Sequence, residues 1–262
     1  MPNPKGDFIW YELMTPDPAG SKAFYDSVVG WNIDTDSVAP GIEYRMVHRS
    51  DGKFAAGVMT LDDDMIANGA KPTWMGYVHT PDVDATVDQA VAAGGKALMP
   101  PWDQPGVGRL AMIADPQGNP LYLMKPIPPE DQPDARSDVF SVDAEQRIGW
   151  NELGTADAEA LRPFYEGLFG WNTDEFMDMG EYGKYRFVFN DGVRIGAMSG
   201  TAPGAPQSWR YYVRVPSIAK AVEAVNAGGG KVNMGPHEVP GGDHIIIGTD
   251  PQGAEFALVG KA

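Results

Sequence analysis

The stretch WYELMTPDPAGSKAFYDSVVGWN, beginning at Trp10, returns as WNELGTADAEALRPFYEGLFGWN from Trp150. Aligned without gaps, residues 8–32 and 148–172 share ten identities at a spacing of 140: Trp10, Glu12, Leu13, Thr15, Asp17, Phe24, Tyr25, Gly30, Trp31 and Asn32 all recur. Unrelated segments of that length would share roughly one or two, given ordinary residue usage. The match continues downstream. PTWMGYVHTPDVDATVDQAVAAGGKALMPP parallels QSWRYYVRVPSIAKAVEAVNAGGGKVNMGP, and PGVGRLAMIADPQGNPLYLM parallels PGGDHIIIGTDPQGAEFALV. The chain is a tandem duplication, so one structural plan has to be built twice.

Each copy divides again. Residues 7–15 alternate and carry aromatics, as a half-buried strand does. Asp17 can cap a following helix, Phe24 and Val28 share one face of it, and Gly30 can end it. Short strands follow around YRMVHRS and KFAAGVMTL. The second half repeats the order, with a strand at 73–79, a helix over 83–93 closed by Gly94 and Gly95, and short strands ending at GNPLYLM. Asp115-Pro116-Gln117-Gly118 has the residues of a type I turn, and DPQG recurs at Asp250. The Gly-Gly-Lys runs in AAGGKA and AGGGKV follow helices, so they read as helix ends and not as phosphate cradles. The fold class is α+β, with four βαβββ units. Residues 1–126 form a first domain (units 7–60 and 72–126). Residues 147–262 form a second (units 147–200 and 207–260). Residues 127–146, rich in proline and acid, read as an extended linker.

The formal charge of -16 opposes nucleic acid and anionic lipid as partners. There is no apolar run long enough to span a bilayer, and the N-terminus lacks the apolar core of a secretory signal. The absence of cysteine removes disulfides and thiolate chemistry and is compatible with a cytoplasmic location. The four histidines, His48, His79, His237 and His244, have neither HxH nor HxxxH spacing.

Four βαβββ units, an FY…GW helix end, a PDVDA…AAGG helix and a DPQG turn before the last strand resemble the vicinal oxygen chelate superfamily, in its two-domain bacterial glyoxalase-like form. That superfamily includes glyoxalase I, bleomycin- and fosfomycin-resistance proteins and extradiol dioxygenases. The resemblance covers all but the linker. It implies paired units forming a curved mixed sheet, helices outside, and a ligand on the concave face. In many members His and Glu side chains there bind a divalent metal that chelates the substrate.

Carried onto this chain, the metal-ligand positions fall on Trp10, Met75, Tyr122 and the Gly57–Met59 region. In the second copy they fall on Trp150, Arg210, Ala257 and the Gly196–Met198 region. Trp and Ala cannot ligate, thioether sulfur is too soft for Mg²⁺ or Mn²⁺, and Arg repels a cation. The expectation is no metal and no other cofactor.

If the first-strand ligand position faces the cleft, so do Glu12 and Met14, two and four residues on. The same alternation places Met75, Tyr77 and His79 there, with Tyr122 on the closing strand. In the second copy it places Trp150, Glu152, Arg210, Tyr212 and Arg214, with Glu255 on the closing strand. Trp10, Met75, Tyr77, Trp150, Arg210, Tyr212 and Arg214 are the candidate ligand contacts. Glu12 and Glu152 are candidate general bases, since a carboxylate in a partly dry aromatic pocket has a raised pKa; Tyr122 and His79 are candidate acids. Against this stand structural roles: paired carboxylates, tryptophans in the core, and Arg210 and Arg214 bound to Glu152 and Glu255. Three functions follow in order: a metal-free protein binding a small organic molecule, a metal-independent lyase or isomerase, and a divalent-metal glyoxalase or dioxygenase. Either a monomer or a homodimer fits.

Overall fold

A computed structural model describes residues 3–38, 41–201 and 206–262. The first copy runs β1 (Phe8–Thr15), α1 (Pro18–Val29), β2 (Asn32–Ile33), β3 (Tyr44–His48), β4 (Phe54–Thr60), α2 (Asp63–Ala67), β5 (Thr73–His79), α3 (Val83–Ala92), β6 (Lys96–Gln104), β7 (Gly108–Ala114) and β8 (Pro120–Pro126). The second runs β9 (Ile148–Thr155), α4 (Ala158–Phe169), β10 (Phe176–Asp178), β11 (Lys184–Asn190), β12 (Val193–Gly200), β13 (Ser208–Ser217), α5 (Ile218–Ala227), β14 (Lys231–Glu238), β15 (His244–Thr249) and β16 (Glu255–Lys261). Each copy forms one eight-stranded mixed sheet, in the orders β2-β3-β4-β1-β5-β8-β7-β6 and β10-β11-β12-β9-β13-β16-β15-β14.

The helices begin and end where local chemistry dictates. Asp17, Asp82 and Asp157 accept the backbone N–H three residues on, at 2.9, 3.0 and 3.0 Å. Each therefore satisfies one orphan donor of the first turn. Gly30 and Gly170 close α1 and α4 in the left-handed region, at φ 78° and 75°. One element was not expected: Asp62 caps the short α2 through Met65 N at 2.7 Å. No helix among the described residues is long and apolar enough to cross a membrane.

Packing gathers the chain into two compact units that cut across the repeat. One holds the N-terminal residues to Ile9, Gly76–Ser137 and Asn151–Trp209; the other holds Trp10–Met75, Asp138–Trp150 and Arg210–Ala262. In the first, Tyr165 on α4 donates to Asp115 Oδ2 (2.9 Å), and Gln117 Nε2 donates to the Asp157 carbonyl (2.7 Å). In the second, Tyr25 on α1 donates to Asp250 Oδ2 (3.0 Å). Both aspartates are buried, and each also accepts two backbone N–H groups, one within its own DPQG turn and one from the residue after it. That is how a buried carboxylate is tolerated. Burial still pushes the Asp250 carboxyl above its ordinary pKa, and it pushes the Tyr25 hydroxyl well up as well.

The neighbouring phenylalanines explain the glycine runs. A methyl group at Gly95 would meet the Phe164 ring and the Ala114 carbonyl, and one at Gly230 would overlap the Phe24 ring. The FY pair of each copy thus docks on the AGG helix end and DPQG turn of the other. Trp31 and Trp171 are buried and also act as locks. Trp171 donates to the Gly6 carbonyl and Trp31 to the Gln146 carbonyl, both at 2.9 Å. Gly6 and Gln146 have φ of 90° and 61°. Gln146 carries a side chain in that disfavoured region, and its hydrogen bonds offset the strain. Its Nε2 donates to the Gly30 carbonyl (2.6 Å), its Oε1 accepts from Ser50 N (2.8 Å), and its own N donates to the Arg214 carbonyl (2.8 Å).

Candidate functional site

On the first copy's β1, Trp10, Glu12 and Met14 alternate onto one face. The parallel register with β4 sets Glu12 beside Gly57 and Met14 beside Met59. The antiparallel register of β3 sets Met46 beside Gly57 and Tyr44 beside Met59. Glu12 is 3% exposed, whereas Trp10, Tyr44, Met14, Met46 and Met59 are half-buried. The Trp10 indole N–H donates to the Tyr44 hydroxyl at 2.8 Å, and the Trp10 ring meets Phe54 edge-on at 6.4 Å. A methyl group at Gly57 would overlap the Tyr44 hydroxyl, so that hydroxyl lies directly over the residue paired with Glu12.

The second copy repeats these parts at equivalent register positions. Glu152 pairs with Ala197, and Ala197 pairs with Phe187, so Tyr185 occupies the position of Tyr44. The Tyr185 hydroxyl donates to Glu152 Oε2 at 2.6 Å. Trp150 packs on a buried cluster of Tyr212, Ile247, Ala257 and Val259.

The closing strands differ as well. In the first copy Tyr77 and Tyr122 are register partners, their rings stacked at 4.3 Å and 10°, and Trp102 meets Tyr122 edge-on. Met75 is buried. His79 is 9% exposed, and its Nδ1 lies 3.0 Å from the Pro4 carbonyl, so the ring is tied to the N-terminal segment. Asp7 lies nearby; burial raises its carboxyl pKa against the hydrogen bond from Asn190. In the second copy Arg210 donates to Glu255 at 2.8 Å and Arg214 to Asp243 at 2.8 Å. Lys261 also reaches Asp243, and with Arg214 it holds the Asp243 carboxyl below its ordinary pKa despite burial.

Tyr44 and Tyr185 were not among the sequence candidates. The signal existed, because EYRM and KYRF both carry Tyr-Arg. Their spacing is 141, from 44 to 185, and a gap-free alignment at 140 misses it. A cavity of about 500 Å³ lies elsewhere and contains none of the candidates. Its Arg49 and Arg147 are engaged by Asp51 and Asp138.

The donor set does not fit the metal implied by this fold. Of the single positions assigned to ligands, Tyr122 alone supplies an oxygen donor, and its ring is stacked on Tyr77. Among the described residues no group of three or more His, Asp or Glu side chains is placed to hold an ion.

The sheets and register described above define a glyoxalase-type fold, and comparison with known proteins agrees. The family model of the glyoxalase/bleomycin resistance protein/dioxygenase superfamily matches residues 8–123 and again 147–258. The chain belongs to this family. It is 29% identical to CFP32 of Mycobacterium bovis, a protein named as a glyoxylase, over 97% of this chain and 94% of that one. It is 28% identical to the anthracycline biosynthesis protein DauV of a Streptomyces species, over 95% of this chain and 91% of that one. The Mn(II)-bound glyoxalase of Novosphingobium aromaticivorans shares the fold, with a TM-score of 0.66 and 15% identity over 98% of this chain and 83% of that one.

Proposed function

We propose that the chain binds a small, largely apolar organic molecule on its sheet faces without the metal its fold commonly carries. The observation behind this reading is the tryptophan at the first-strand ligand position of both copies. An indole offers a ring face and one N–H donor, which suits an organic ligand and not a cation. The half-buried Trp10, Tyr44, Met14, Met46 and Met59 give the first copy an accessible aromatic and thioether surface. The relative named for anthracycline biosynthesis supports an organic ligand. The charge of -16 favours an uncharged or cationic molecule over an anionic one.

Titration of Mn²⁺ or Zn²⁺ into chelator-treated protein, followed by calorimetry, tests the metal-free part. The expected result is no stoichiometric binding at micromolar concentration. One ion bound per copy would overturn it.

A second reading, a metal-independent lyase or isomerase, draws on the burial of Glu12 beside Trp10. A base in that position needs little solvent reorganisation to take a proton. Glu12→Gln should then abolish turnover of whatever substrate is found while changing its binding less than about tenfold. Unchanged turnover excludes Glu12 as the base.

A further inference from the structure

We propose that His79 Nε2 is the hydrogen-bond acceptor for the phenolic hydroxyl of an uncharged aromatic ligand on the face formed by the end of β5 with β8, β7 and β6. This rests on the reading of the sheet faces as organic-ligand sites and deepens it by naming the recognising atom and the group recognised.

One bond sets the state of the imidazole. Its Nδ1 lies 3.0 Å from the Pro4 carbonyl, and a carbonyl oxygen only accepts, so Nδ1 carries the hydrogen. In the neutral ring Nε2 then holds the lone pair. The Pro4 carbonyl is fixed by its own segment: Gly6 N donates to the His79 carbonyl (2.9 Å), His79 N to the Asp7 carbonyl (2.8 Å), and Asn190 Nδ2 to the Lys5 carbonyl (3.1 Å). The residue is 9% exposed. Among the described residues Nε2 has no hydrogen-bond partner, yet it is not one of their buried orphan atoms, so solvent reaches that edge of the ring.

The register sets the surroundings, because residues paired across a sheet share a face. His79 pairs with Met124, Met124 with Leu110, and Leu110 with Trp102. The next row on that face is Tyr77, Tyr122, Met112 and Met99. Trp102 and Met112 are half-buried and Met99 is 41% exposed, so this end of the rows is open. Indole, phenol rings and thioethers suit a flat, polarisable body. A phenolic O–H is a stronger neutral donor than an aniline N–H, and neutral imidazole nitrogen is the acceptor that matches it.

The second copy supplies the internal control. In the parallel stretches WMGYVH and WRYYVR, Arg214 stands where the first copy has His79. An arginine has donors only, and this one donates to Asp243 at 2.8 Å. The acceptor therefore belongs to the first copy alone.

2-Naphthol and its methyl ether are the probes, since only the naphthol donates. Both should bind the full-length protein in equilibrium dialysis at about pH 8, above the ordinary histidine range. His79→Asn keeps an amide N–H near the Nδ1 position for Pro4 and leaves nothing at Nε2. It should weaken naphthol binding roughly three- to tenfold, the worth of one hydrogen bond, and leave the ether within about twofold. His79→Gln is the converse, with an amide oxygen reaching the Nε2 position and the tie to Pro4 lost. It should hold naphthol within about threefold of the parent and melt earlier. Trp102→Leu should weaken both probes alike, because it removes a wall and not the acceptor. If His79→Asn melts early, long-range proton–nitrogen spectra of the parent chain decide. Naphthol should move the bare Nε2 resonance of the histidine protonated at Nδ1, and the ether should leave it in place. Unchanged naphthol binding in His79→Asn, equal weakening of both probes there, or an unmoved Nε2 resonance would overturn the assignment to His79 while leaving an organic-ligand face intact. Failure of both probes to bind the parent chain would count against the face itself.

Discussion

The two copies carry the same Trp-x-Glu strand and the same tyrosine across from it, and differ in the residues around them. In the first, Tyr44 receives the Trp10 N–H and lies over Gly57. In the second, the Tyr185 hydroxyl donates to Glu152, and Trp150 packs on the cluster of Tyr212, Ile247, Ala257 and Val259. The residue paired with the glutamate gains a methyl group, Gly57 against Ala197, and Met14, Met46 and Met59 of the first copy stand against Gly154, Phe187 and Ser199. The closing strands diverge in the same direction, with stacked tyrosines in one copy and arginine–carboxylate pairs in the other. Duplication kept the scaffold and let the faces drift. What stayed alike is the docking between copies, because a change there loosens both at once.

The largest expected effect tests that shared docking. Phe24→Ala and Phe164→Ala each remove a ring packed against a glycine run of the other copy. Each should cost about 3–5 kcal/mol in urea unfolding, and the two should be alike. A neutral result at either position would break the symmetry of the docking.

A smaller effect sharpens the difference between faces. Gly57→Ala should displace Tyr44 and cost about 1–3 kcal/mol as an overpacked site, whereas Ala197→Gly should cost no more than about 1 kcal/mol. Indole fluorescence should respond to Gly57→Ala through Trp10, and an unchanged spectrum would mean that the methyl is not the discriminating group.

The smallest effect is in pH. Asp243, held by Lys261 and Arg214, and Glu159, held by Arg186, have lowered pKa values. Their contribution is present above the ordinary carboxylate range near pH 4 and is lost as pH falls through the lowered folded values. Asp250 has the opposite sign. Burial raises its pKa, so its contribution is greatest below the ordinary range and declines as pH rises through the raised value. Asp250→Asn should therefore make Tm fall more steeply between about pH 6 and pH 3 than in the parent chain. A shallower fall would show that the buried carboxylate is not destabilised as its burial implies.

Much of the scaffold was legible because its signals are local. Asp17 and Gly30 mark the ends of α1, residues 73–79 form a strand, and DPQG closes a turn, all through interactions within a few residues. The site was legible only in part. Strand alternation put Trp10 and Glu12 on one face of β1 and paired Tyr77 with Tyr122 on neighbouring strands, but a one-residue insertion hid the Tyr44–Tyr185 match. The docking of Phe24 and Tyr25 onto the other copy involves residues more than 200 positions apart. No local pattern announces such a contact. Gln146 lay in a stretch read as linker, and its role depends on four segments that meet only in the fold.

An organic ligand bound without a metal leaves a mass signature. Native mass spectrometry of the untagged protein, purified gently from its own cells and compared with a denatured control, tests it most directly. The expected result is an organic adduct of discrete mass, released on denaturation, with no stoichiometric divalent ion. A divalent metal at one per copy, surviving desalting, would contradict it and restore the metal-dependent chemistry of the family to this chain.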